Sequence, residues 1–151
     1  MHRLTRLMLS VLATAAVTTA GALGPTGPAA AAPNGCSGSG GSHTDYLGNT
    51  YGTANCHVYS AGYVRNSGAN SGYLNTGTSW FVCQEQWSGY ENPHVGSARN
   101  NYWLYTQGDV GYAHSGWGWF PATKVSGGGN YAPVPGLRSC DSIPFFPFAT
   151  P

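Results

Sequence analysis

Charge is what this chain of 151 residues has least of: Asp, Glu, Lys and Arg make up 7% of it, against about 25% in ordinary soluble domains. The formal net charge is +1, and two of the cations, Arg3 and Arg6, lie in a segment expected to be removed. What then remains is Arg65, Arg99, Lys124 and Arg138 against Asp45, Glu85, Glu91, Asp109 and Asp141. So few cations give no electrostatic footprint for nucleic acid. The absence of a polybasic patch likewise argues against an anionic membrane surface. Low charge does not imply disorder here, because aromatics reach 13% and disordered chains are poor in them.

Long apolar runs are also scarce. Leu7 to Ala22 is the longest and is broken by small polar residues, short of the roughly 20 residues a span requires. Preceded by Arg3 and Arg6 and followed by the small residues Ala29 to Ala32, it has the layout of a secretory signal peptide. Pro33 is a poor first residue after a cut, so Ala29-x-Ala31 is the favoured cleavage site and residues 1–31 the expected signal. A secreted chain with no membrane association after cleavage follows.

Catalytic signatures are missing as well. The chain has no G-x-S-x-G elbow, no H-E-x-x-H and no phosphate loop. Ser42, His43 and Asp45 are neighbours in sequence, which does not make a triad. Glycoside hydrolysis needs two carboxylates flanking the bond, and Glu85 and Asp109, each ending an expected strand, could be close across adjacent strands. His57, His94 and His114 could ligate a metal only if the fold gathered them. None of these groupings supports an enzyme, a cofactor or a metal site, and the expectation is a non-catalytic protein.

What is present is Gly (23 residues), Tyr (10), Trp (5) and Cys (4). An even number of cysteines in an exported chain implies disulfides. Three pairings of Cys36, Cys56, Cys83 and Cys140 are possible. The favoured one joins Cys36 to Cys56, tethering a Gly/Ser-rich segment, and Cys83 to Cys140, closing the C-terminal segment onto a strand. Their wide spacing, without any C-x-x-C, fits no zinc pattern.

Residues 32–55 read as a flexible Gly/Ser-rich arm held by Cys36. From Cys56 the chain turns β-prone, with short pieces at His57–Tyr59 and Gly62–Arg65 and then a loop over Asn66–Gly72. The strongest strand signal is Trp80–Gln84, entered through a turn at Asn75–Thr78. Alternation puts Phe81 and Cys83 on one face, in the core, and Trp80 and Val82 on the other. Gly89–Asn100 is a long loop. Strands follow at Tyr102–Tyr105 and Gly116–Phe120, then a turn at Pro121–Thr123 and a last short strand at Lys124–Ser126. With little helical periodicity, the fold class is all-β, a small barrel or sandwich.

Tyr63-Val64-Arg65-Asn66-Ser67-Gly68, then Asn75-Thr76-Gly77-Thr78 leading to Val82-Cys83-Gln84, resembles the N-V-R-S-G … G-T … V-x-C-Q pattern of bacterial SH3-like domains. Tyr102-Trp103 and the run Gly116 to Ser126 are similar to that family's closing strands. Pro133 to Cys140 is similar to the tail of small secreted actinobacterial members. The resemblance covers residues 56–140, with a long Gly89–Asn100 loop as its departure. It implies an SH3-like barrel of five or six short strands that binds peptide or cell-wall material without catalysis.

Five tryptophans and ten tyrosines exceed what so small a core encloses, and exposed rings stack on sugars and on Pro- or Gly-rich peptides. Trp103 is expected in the core. Trp87, Tyr90, Tyr112, Trp117 and Trp119 are the candidate ligand-binding residues. The expected function is a secreted, monomeric binding module for cell-wall peptide or polysaccharide. The alternative is a secreted inhibitor or antimicrobial protein acting through a rigid loop, Asn66–Gly72 or Gly89–Asn100. The tail, residues 141–151, carries Phe145, Phe146 and Phe148, which would be a sticky patch in water and are expected to pack on the domain.

Overall fold

The computed structural model describes residues 35–151, so the signal expected over residues 1–31 lies outside the described residues. Nine strands make up the frame: β1 (Cys36–Thr44), β2 (Thr50–Val58), β3 (Gly62–Asn66), β4 (Ala69–Leu74), β5 (Gly77–Phe81), β6 (Cys83–Gln86), β7 (Tyr102–Gln107), β8 (Val110–Gly111) and β9 (Trp117–Pro121). They form a three-stranded sheet, β1-β2-β5, and a six-stranded sheet, β6-β7-β9-β3-β4-β8. The fold is all-β, as the composition requires. Both favoured disulfides, Cys36–Cys56 and Cys83–Cys140, are present.

The segment expected as a flexible arm is instead an antiparallel hairpin. β1 is Gly/Ser-rich and has no β-propensity of its own. It is held from outside: Cys36 lies opposite Cys56, Thr53 Oγ1 donates to the Gly41 carbonyl at 3.0 Å, and Asn55 Nδ2 donates to that of Ser39 at 3.1 Å. The His43 ring lies flat on Trp80, 3.6 Å between centroids. The connecting turn is built around the buried Asp45 carboxylate, which accepts from Leu47 N and Asn49 N, each at 2.9 Å, and from the Tyr51 hydroxyl at 3.1 Å.

The loop expected over Asn66–Gly72 shrinks to Ser67-Gly68, both with positive φ, 50° and 79°. Two successive left-handed residues match the twist of a tight hairpin, so pairing resumes at once in β4.

The strand expected over Trp80–Gln84 breaks at Val82. β5 pairs with β2 and β6 pairs with β7, so this stretch passes from one sheet to the other. Val82 is held in the corner, its N–H donating to the Tyr105 carbonyl at 2.9 Å and its carbonyl accepting from Arg138 Nε at 3.0 Å. The break separates Phe81 and Cys83. Phe81 is buried as expected, packed with Val58, Val64, Leu104 and Phe120. Cys83 joins a second cluster with Tyr51, Trp103, Tyr105, Trp117, Trp119 and Phe146.

Those two clusters occupy opposite faces of β7 and β9. Leu104 and Phe120 point to one, Trp103, Tyr105, Trp117 and Trp119 to the other, as alternation along a strand demands. The second face is closed by the C-terminal tail, where Phe146 is 5% exposed and meets Tyr51, Tyr105 and Trp119 at 5.6, 5.0 and 6.0 Å between centroids. The tail packs on the domain, as its apolar composition required. Lys124–Ser126 is not a full strand: a 3-10 turn, Ala122–Lys124, leads into a single bridge between Val125 and Val58.

Candidate binding surface

β3 and β4 decide which side chains face outward. Gly62 and Val64 are buried, so Tyr63 and Arg65 share the opposite, outer face of β3. Tyr73 of β4 stands directly across from Tyr63. Their rings meet edge to face with 5.3 Å between centroids, and Tyr112, just beyond β8, lies 6.4 Å from Tyr63. Tyr63 and Tyr112 are 51% and 58% exposed. Three tyrosines thus form an open platform on a hydrogen-bonded sheet, where the strands fix the rings at little entropic cost.

The platform borders a cleft of about 370 Å³ whose walls include Tyr63, Arg65, Tyr73, Pro93, Trp103 and Lys124. The Gly89–Asn100 loop supplies Pro93 and is pinned from several sides. Trp103 Nε1 donates to the Tyr90 carbonyl at 2.8 Å, Asn92 N to the Asn100 carbonyl at 2.8 Å, and Thr123 N and Oγ1 to Asn92 Oδ1 and the Pro93 carbonyl at 3.1 and 2.8 Å. Lys124 reaches back over Gly62 to donate to Ser60 Oγ at 3.1 Å and to the Ala61 carbonyl at 2.8 Å. A Cβ on Gly62 would stand 2.8 Å from Lys124 Cε, so the glycine makes room for the lysine stem. Burial lowers the pKa of the Lys124 ammonium.

The five sequence-derived ligand residues do not form one groove. Trp117 and Trp119 are 1% and 0% exposed; the tail covers their face, and Trp119 Nε1 donates to the Ala149 carbonyl. They are core residues, which corrects the expectation. Trp87 is half-buried, edge-on to Trp119, Tyr90 and Phe148, and forms with the exposed Tyr90 a patch beside the tail. Of the five, only Tyr112 reaches the platform. Tyr63, Tyr73, Arg65 and Lys124 were not singled out. The period-two pattern of Gly62-Tyr63-Val64-Arg65 was the signal for the first and third of them.

The polar groupings considered for catalysis come apart. Asp45 is committed to its turn and His43 to Trp80, its Nε2 2.9 Å from the Gly40 carbonyl. Asp109 accepts from Asn75 N and Nδ2 at 2.8 and 2.9 Å, beyond the end of β7, whereas Glu85 sits opposite Trp103 at its start. That separation is about 13 Å or more at the rise of a strand. His94 lies 4.0 Å from Glu91, and no group of three or more His, Cys, Asp or Glu side chains converges among the described residues.

Glu85 does carry a perturbation. Burial, and then the charge of Asp141, raise its carboxyl above the ordinary glutamate value, and its Oε2 has no hydrogen-bond partner. The folded state therefore holds a proton that the unfolded chain has already released, and stability falls as pH rises through the folded-state value. Glu85→Gln is expected to raise the melting temperature at pH 7 and to leave it unchanged near pH 3. Equal effects at both pH values in thermal melts would contradict this.

Around Glu85 a second depression, of about 590 Å³, runs along Gln84–Gln86 and Pro133–Leu137. Its central amide, Gln84, is fully used by the chain itself, bonding Val134 O, Leu137 O and Val134 N at 2.8, 2.6 and 2.7 Å. It fastens the C-terminal segment and leaves the tyrosine cleft as the better candidate. No family model, no curated protein and no solved structure matches the chain.

Proposed function

We propose that the protein is a secreted, non-catalytic binding module that recognises cell-wall peptide or glycan through exposed aromatic rings. The observation that carries this reading is the Tyr63–Tyr73–Tyr112 platform opening on a cleft held by sheet and pinned loop. Rings already fixed on a sheet bind with little ordering cost, and the cleft walls add the Asn70 amide. Secretion is supported by the signal-like N-terminal sequence together with two disulfides, which persist in oxidising compartments. The resemblance to SH3-like domains points to the same ligand class.

The test is co-sedimentation of the oxidised protein with purified peptidoglycan and with insoluble polysaccharides, read alongside Trp fluorescence. Retention on the wall polymer is expected, and Tyr63→Ala with Tyr112→Ala is expected to weaken it about tenfold, the loss of two stacking contacts. Absence of retention on every polymer would overturn the reading. A secreted inhibitor would then take its place, a reading favoured by the pinned and exposed Gly89–Asn100 loop.

A further inference from the structure

Cations are rare in this molecule, yet two of the four among the described residues line the tyrosine cleft, and no acidic residue lines it. Neither Arg65 nor Lys124 lies within 4.0 Å of a carboxylate. The other two are used structurally. Arg138 bonds the carbonyls of Val82 and Gly52, and Arg99 those of Gly96 and Ala98. Arg65 spends only Nη2, on the Gly68 carbonyl at 3.0 Å, and its buried Nε has no partner. A buried donor without an acceptor is costly and calls for one. Lys124 is tied to two neutral oxygens, which leaves its charge unneutralised.

The geometry points to the cleft as a receptor for the free C-terminal carboxylate of a short peptide, with the terminal apolar side chain against Pro93, Trp103 and the tyrosine rings. Both cations line the cleft, and each suits a carboxylate, the planar guanidinium as a fork and the ammonium as a point charge. The volume, about 370 Å³, is near the small end of ligand pockets, about 300–1,000 Å³, and suits a few small residues. A neutral sugar would leave the charges of Arg65 and Lys124 unneutralised, with no acidic residue in the walls to do so. This inference rests on the binding-module reading and narrows its ligand to a peptide end.

The probe is the tripeptide Gly-Ala-Ala, titrated into the oxidised full chain as the free acid and as the C-terminal amide, with glucuronic acid as a third ligand. Calorimetry gives affinity, and NMR shifts at Gly62, Tyr63 and Asn70 give location. The free acid is expected to bind about tenfold or more tighter than the amide, the usual effect of a charge-assisted pair. Arg65→Gln and Lys124→Met should each weaken the acid about tenfold and leave the amide unchanged, with unaltered melting temperatures. Should Arg65→Gln disturb the β3–β4 turn, Gly62→Ala tests the lysine half of the site by displacing its flexible stem. Equal affinity for acid and amide, or binding of neither, overturns the inference, as does tighter binding of glucuronic acid. Wall co-sedimentation that survives either result leaves the binding-module reading standing. Its loss with acid-selective peptide binding intact removes that reading and keeps the carboxylate site.

Discussion

Removal of residues 142–151 is expected to lower the melting temperature by about 10 °C or more. The expectation comes from Phe146, which fills the space over Tyr51, Tyr105 and Trp119. Truncating a buried Phe to Ala costs about 3–5 kcal/mol, because the cavity adds to the lost transfer energy. The tail also satisfies polar groups. Ser67 N and Gly68 N donate to the carbonyls of Thr150 and Pro151 at 2.7 and 3.2 Å, and Trp119 Nε1 to that of Ala149. Without it a buried indole donor would be left without its acceptor. The control is next door: Phe145 is 101% exposed, so Phe145→Ala should leave the melting temperature within error while Phe146→Ala reproduces most of the truncation effect. Near-ultraviolet circular dichroism during heating reads both. Equal, small effects of the two substitutions would mean that the tail does not cover the tryptophan face.

The tail also explains which parts of the molecule were legible in the sequence. Strand positions with strong local signals, such as Trp80-Phe81 and Tyr102–Tyr105, were readable because aromatic residues concentrate there. The disulfide pairing was readable from the layout of the chain. The Trp117/Trp119 face was not, since whether an alternating strand is wet or dry depends on what lies across from it. Here the cover is a segment some thirty positions later whose own sequence reads only as apolar and Pro-broken. β1 was hidden for the complementary reason. Nothing in CSGSGGSHT favours a strand, and its pairing is imposed by Cys56, Thr53, Asn55 and the Trp80 ring, a tertiary override of propensity. The cleft falls between these cases. Tyr63 and Arg65 could have been placed together by alternation, but Lys124 arrives from the far end of the domain through the bridge of Val125 to Val58.

Loss of the Cys83–Cys140 disulfide is expected to cost about 4 kcal/mol, and loss of Cys36–Cys56 about 3 kcal/mol, from the loop-closure entropy of the unfolded chain. The difference follows from the sequence separations of 57 and 20 residues. The longer bridge has a further consequence that the entropy does not contain. Cys140 stands between the Gln84 hydrogen bonds to Val134 and Leu137 and the tail bearing Phe146. It therefore anchors the N-terminal end of the segment that closes the tryptophan face. Cys83→Ala with Cys140→Ala should loosen that cover, so the bridge and the tail act on one structure and their effects should not add. In a double-mutant cycle by chemical denaturation, combining the loss of Cys83–Cys140 with removal of residues 142–151 is expected to cost less than the sum of the two. Loss of Cys36–Cys56, which clamps β1 to β2, should instead add to the truncation within about 0.5 kcal/mol. Additivity in both cycles would show that the bridge at Cys140 stabilises only by restricting the unfolded chain and leaves the tail to pack by itself.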